Sequence, residues 1–123
     1  MRGCRQVSER ISVADIRKEL FENDNVVVGK NVLSTNTTGQ GNTAIGNAAL
    51  EANTTGNQNT GIGQAALTTN TTGNDNTALG FAALQNNTTG SNNVAIGDST
   101  LKSNTTAGGN TALGYQSLYT NTT

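Results

Sequence analysis

At 123 residues the chain has the length of one domain, but with 33% hydrophobic and 3% aromatic residues and no Pro, Trp or His it lacks the material of an ordinary globular core. The net charge of -1 is unevenly spread: residues 1–35 hold six of the seven Lys and Arg and five of the eight Asp and Glu, leaving residues 36–123 with Lys102, Glu51, Asp75 and Asp98. That near-neutral stretch argues against electrostatic binding of nucleic acid or an anionic membrane, and without His neither a Ser/His/Asp or Cys/His arrangement nor a His-containing metal site can be built.

Residues 1–24 form one section. Met1 to Arg10 is polar with no apolar run behind it, so no signal peptide is expected, and no stretch is apolar enough to insert into a membrane. Lone Cys4 permits no intrachain disulfide and reads as a bland thiol. After an extended arm, Ser12 serves as an N-cap with Asp15 three residues on. Val13, Ile16 and Leu20 then fall on one face at helical spacing, with Phe21 beside them, which predicts a short amphipathic helix over 13–22. So short a helix needs something to dock on, either the open first coil of a solenoid built by residues 25–123 or a partner protein.

Residues 25–123 are a repeat of 17 residues, with units opening at Asn25, Asn42, Asn59, Asn76, Asn93 and Asn110 and the sixth stopping after 14 places. Composition rich in Asn, Thr and Gly suggests disorder, but a strict period with fixed apolar places argues for stacked units that fold only together. Comparison of the units separates fixed places from free ones. Val28, Ile45, Ile62, Leu79, Ile96 and Leu113 form one apolar row, and Leu33, Leu50, Leu67, Leu84, Leu101 and Leu118 another. Gly29, Gly46, Gly63, Gly80, Gly97 and Gly114 are unbroken, which implies a positive φ or an approach too close for a Cβ. Asn36, Asn53, Asn70, Asn87, Asn104 and Asn121 are unbroken too, each followed by Thr-Thr and, except at Ala107, by Gly in the complete units.

These places fit short strands and tight turns, an all-β parallel β-solenoid with 17-residue coils. Side chains alternate along a strand, so Ile45 and Ala44 must face opposite ways. The expectation is that Ile45 faces the interior, with Val27, Ala44, Gly61, Ala78, Ala95 and Ala112 packing against another chain. Asn-Thr-Thr-Gly is read as the corner, with Asn tolerating the left-handed conformation and Gly taking the strained angle. Stacked corners at roughly 4.8 Å place Asn and Thr in ladders that join coils. Two large aliphatics per coil bury too little surface to offset the ordering of a coil, so a homotrimer is predicted, its small rows meeting near the axis.

No catalytic, cofactor or metal site emerges. Glu51, Asp75 and Asp98 sit at three different places in their units, which speaks against a two-carboxylate glycosidase. Thr106-Ala-Gly-Gly-Asn lacks the Lys and Ser/Thr of a phosphate loop, and the Asn-Thr-Thr triplets read as corners rather than glycosylation sites. The freely varying places mark the outside, and among them Phe81, Tyr115 and Tyr119 are candidates for contact with a glycan or a protein.

Asn-Thr-Ala-Ile-Gly (Asn42 to Gly46), Asn-Thr-Ala-Leu-Gly (Asn76 to Gly80) and Asn-Val-Ala-Ile-Gly (Asn93 to Gly97) resemble the head repeats of trimeric autotransporter adhesins. The resemblance implies a trimer of left-handed parallel β-rolls; the longer unit with its added Asn-Thr-Thr-Gly corner departs from it. Ile11 to Leu20 resembles a segment near the start of tail and baseplate-associated virion proteins of tailed, especially marine, bacteriophages such as cyanophages. Together the two imply a trimeric tail fibre made in the host cytoplasm and carried in the virion tail. Its N-terminus would be joined to other virion proteins and its far end would serve host attachment. Six coils at roughly 4.8 Å reach only about 30 Å, which suits a proximal, particle-attached part. Alternatives are a bacterial surface adhesin head fragment and, with Thr on a β-solenoid, an ice-binding protein; for the latter, the corner Thr pair would direct its hydroxyls apart.

Overall fold

The computed structural model describes residues 23–122. The arm and the expected helix with Val13, Ile16, Leu20 and Phe21 lie outside them. Among the described residues there is no helix, and the regular elements are six three-residue strands. These are β1 (Val26–Val28), β2 (Thr43–Ile45), β3 (Thr60–Ile62), β4 (Thr77–Leu79), β5 (Val94–Ile96) and β6 (Thr111–Leu113). They form one parallel sheet in chain order. Val26 pairs with Thr43, Thr43 with Thr60 and Thr60 with Thr77, so the register advances by one repeat unit per strand. The chain is a parallel β-solenoid with 17-residue coils.

The chain leaves each strand at a glycine, and Gly46, Gly63, Gly80 and Gly97 combine a positive φ with an approach too close for a Cβ. Gly63 has φ +131°, and a Cβ there would stand 2.6 Å from the carbonyl oxygen of Gly80 in the next coil. The chain then turns tightly, with Ala49 N–H donating to Gly46 O, Glu51 N–H to Ala48 O and Asn53 N–H to Leu50 O. In the second to fourth coils three non-glycine residues take the left-handed conformation, such as Ala48 (φ 65°), Leu50 (φ 51°) and Gln58 (φ 57°) in the second; in the first and fifth coils Gly41 and Gly109 fill the third place. Each costs roughly 1–2 kcal/mol in an L-residue. Hydrogen bonds between coils run through turns as well as strands: Ala48 N–H reaches back to Lys30 O, while Leu50 N–H reaches forward to Ala66 O. This satisfies backbone groups that a three-residue strand alone would leave unpaired.

The strand faces are the reverse of the sequence expectation. Ala44, Gly61, Ala78, Ala95 and Ala112 are buried inside the coil. Val28, Leu79 and Leu113 are 56%, 42% and 73% exposed, and Ile45, Ile62 and Ile96 are partly exposed with them. The cause is volume. The interior is filled by Leu33, Leu50, Leu67, Leu84 and Leu101, so a Cβ built on Gly61 already lies 3.5 Å from Leu50 Cγ and 3.4 Å from Ala66 O. A methyl fits that slot and an isoleucine does not. The small row therefore cannot pack against another chain.

The corner also differs in mechanism. Neither Asn53 nor Gly56 has positive φ. The glycine is required by space, since a Cβ on Gly56 would lie 2.4 Å from Gly73 O and 2.5 Å from Asn53 Oδ1. Ala107 occupies this place in the fifth coil.

Much of the interior is polar, with 11 buried polar residues beside 14 buried hydrophobic ones among the described residues. Asn53 Nδ2 donates to Asn36 Oδ1 (2.9 Å) and to Gly56 O (3.1 Å); Asn70 Nδ2 donates to Asn53 Oδ1, Asn87 Nδ2 to Asn70 Oδ1 and Asn104 Nδ2 to Asn87 Oδ1. A second buried column, Asn25, Asn42, Asn59, Asn76 and Asn93, runs beside the first. Asn59 Nδ2 donates to Gly73 O (2.8 Å) while its Oδ1 accepts from Asn76 N–H (3.0 Å). Both columns converge on one carbonyl per coil, as at Gly73 O, which accepts from Asn59 and Asn70. Buried amides are tolerated because every coil supplies the partners of the next.

Candidate contact surface

Two features of the outside stand apart from the satisfied interior. The first is the outer face of the sheet, where the row Val28, Ile45, Ile62, Leu79, Ile96, Leu113 runs beside Val26, Thr43, Thr60, Thr77, Val94, Thr111. Both rows are free of charge and kept in line by the parallel register. Sequence reasoning found the aliphatic row but placed it inside; the Thr/Val row carried the missing signal, since strand residues two apart share a face.

The second is the column one residue beyond the bend glycine: Lys30, Asn47, Gln64, Phe81, Asp98 and Tyr115, all exposed. Backbone hydrogen bonds hold this column in step, with Ala82 N–H donating to Gln64 O (2.9 Å), Ser99 N–H to Phe81 O (2.8 Å) and Gln116 N–H to Asp98 O (2.9 Å). Phe81 and Tyr115 are 49% and 71% exposed. They are two coils apart, roughly 10 Å, with Asp98 between them. Ser99 Oγ donates to Asp98 Oδ1 at 2.6 Å and steadies that carboxylate.

The third aromatic candidate does not join them. Tyr119 stands in a different column with Ser34, Glu51, Thr68, Gln85 and Lys102, and Lys102 Nζ lies 5.8 Å from its ring centroid. The first Thr hydroxyl of the corner pair is likewise committed: Thr54 Oγ1 donates to Thr71 O and Thr71 Oγ1 to Thr88 O. The three further acids among the described residues lie apart from Asp98: Glu51 in the Tyr119 column, and Asp24 and Asp75 three coils apart in another. Among the described residues no three His, Cys, Asp or Glu side chains group to hold a metal, and no helix is long and apolar enough to cross a membrane. A shallow groove lined by Asp24, Gln40, Gly41, Asn57 and Gln58 is polar, and Asn57 Oδ1 there already accepts from Gln40 N–H at 2.8 Å.

No family model, curated protein or solved structure matches the chain.

The geometry thus offers a long apolar stripe on the outer face of a parallel sheet and a narrow column of exposed side chains beside it. Neither has the convergent acids, bases or nucleophiles that bond-breaking chemistry needs. Both have the form of contact surfaces.

Proposed function

We propose that the chain is a structural, non-enzymatic rod in a homotrimeric fibre, the particle-attached part of a bacteriophage tail fibre that supports host attachment. The observation that carries this reading is the outward aliphatic row on the sheet. It repeats without a break in every coil, faces solvent in one copy, and runs beside an uncharged Thr/Val row on the same sheet face. Each of these side chains gains about 1 kcal/mol when its exposed half is covered. A surface repeating along the rod favours a partner with the same repeat, and three copies around one axis cover all three stripes at once. Left-handed coils and threefold symmetry follow from the resemblance to adhesin head repeats, and the trimer now uses the Ile/Leu rows where the sequence alone pointed to the Ala/Gly rows.

The phage setting rests on residues 11–20, which resemble the start of tail and baseplate-associated proteins and would dock the fibre on them. Gold-labelled antibody against residues 23–122, applied to purified virions, should decorate the tail. Labelling of a bacterial surface with bare virions would favour the adhesin alternative instead.

A second reading, ice binding, gains one observation. Thr43, Thr60, Thr77 and Thr111 lie in register on the outer sheet face and not only in corners. A face that orders water must stay open in solution, whereas the trimer covers it. Thermal hysteresis with a monomeric protein would support ice binding; a trimer without hysteresis supports the fibre.

A further inference from the structure

We infer that the column Asn47, Gln64, Phe81, Asp98, Tyr115 is a binding track for a linear β-linked glycan lying parallel to the rod. The coil rise of roughly 4.8 Å is close to the advance per sugar of an extended β-1,4-linked chain, so successive sugars meet successive coils in one register. Phe81 and Tyr115 present apolar ring faces to the C–H faces of two sugars separated by one more. That middle sugar falls over Asp98, whose Oδ1 is held by Ser99 and whose Oδ2 accepts from no donor among the described residues, leaving it to receive sugar hydroxyls. Gln64 and Asn47 extend the track with amide donors and acceptors and no charge.

The shape of the track selects this ligand over a folded protein. It is one side chain wide and about 20 Å long. A specific protein interface requires roughly 800 Å² on each partner, with a packed apolar centre. Here the polar and aromatic side chains alternate along a line, which suits a chain of rings presenting hydroxyls at their edges and C–H groups on their faces. The fold also leaves these identities free: the same place in other coils is Asn47 or Gln64, so the coil does not require aromatics at 81 and 115. The inference deepens the host-attachment reading by naming the ligand class and rests on that reading only for the glycan's source. It requires the coil register and not the trimer.

The test is calorimetric titration of the full chain with hexasaccharides of β-1,4-linked glucose, N-acetylglucosamine, mannose and xylose. At least one should bind, with affinity rising up to about five sugars, the length of the track. Phe81→Gln and Tyr115→Gln, which place in the column a residue it already accepts, should each weaken binding about tenfold, the effect of losing roughly 1.4 kcal/mol. Phe81→Tyr should retain binding, and Tyr119→Gln, in the other column, should leave it within about twofold. Failure of all four sugars to bind, or binding unchanged in both Phe81→Gln and Tyr115→Gln, overturns the inference. Because binding is read apart from sedimentation, a failed glycan site and a failed fibre assignment give different results.

Discussion

Replacing Asn70 by Ala removes one rung from the middle of the corner ladder. The Asn70 amide donates to Asn53 Oδ1 (2.8 Å) and Gly73 O (3.1 Å), and its own Oδ1 accepts from Asn87 Nδ2 (2.8 Å). Three bonds at about 1 kcal/mol net each are lost. Gly73 O keeps Asn59 and Asn87 Nδ2 keeps Gly90 O, so neither is orphaned. Asn53 Oδ1 is, because Asn70 is its donor, and a buried unsatisfied acceptor costs about a further 1–3 kcal/mol. The expected loss is about 4–6 kcal/mol, a large share of the roughly 5–15 kcal/mol that holds a domain of this size. Urea unfolding followed by circular dichroism, at one fixed protein concentration because oligomers shift with concentration, reads the change. Thr72→Ala, an exposed corner residue, should stay within about 0.5 kcal/mol. An Asn70→Ala loss below about 1 kcal/mol would refute the ladder as a major source of stability. Asn70→Asp sharpens the point: it sets an acceptor against Asn53 Oδ1 and Gly73 O and should cost at least as much as Ala.

The same geometry sets further outcomes. Gly63→Ala combines φ +131° with a Cβ 2.6 Å from Gly80 O and should cost about 3 kcal/mol or more, seen as a lowered thermal midpoint. Ala78→Ile, in the closed interior row, should cost about 1–3 kcal/mol by overpacking, whereas Leu79→Ile on the outer row should cost less than about 1 kcal/mol; a reversed order in denaturant melts would return the strand faces to the sequence expectation. Gly73→Ala puts a Cβ 2.3 Å from Gly90 O and should unfold the corner, while Ala107→Gly should be close to neutral by the same melts.

The 17-residue register was legible because Asn, Gly and Leu recur at fixed places, and a parallel coil is the arrangement that stacks like on like. The corner column at Asn53, Asn70 and Asn87 was legible for the same reason. Which strand face points inward was not. Alternation puts Ala44 and Ile45 on opposite sides but leaves the choice of side open, and the decision lies in the few ångströms that Leu50 leaves over. Nor was the second amide column visible as such: Asn42 and Asn59 open their units without a break, but that regularity read as a boundary mark rather than a buried bond. Left-handed Leu50 and Ala48 run against residue preference, because tertiary stacking fixes their angles where local propensity would not. At the surface, Phe81 and Tyr115 were identifiable as candidates, and only the coil register shows that Asp98 joins them and Tyr119 does not.

The central claim is that the outward row from Val28 to Leu113 is where copies of the chain meet. Sedimentation equilibrium at micromolar concentration tests it most directly. The account predicts three times the 12.6 kDa of one chain, and dissociation to single chains when Ile62→Asp and Ile96→Asp place charges on the stripe. A folded 12.6 kDa monomer for the unaltered chain, or a trimer indifferent to both aspartates, would contradict it.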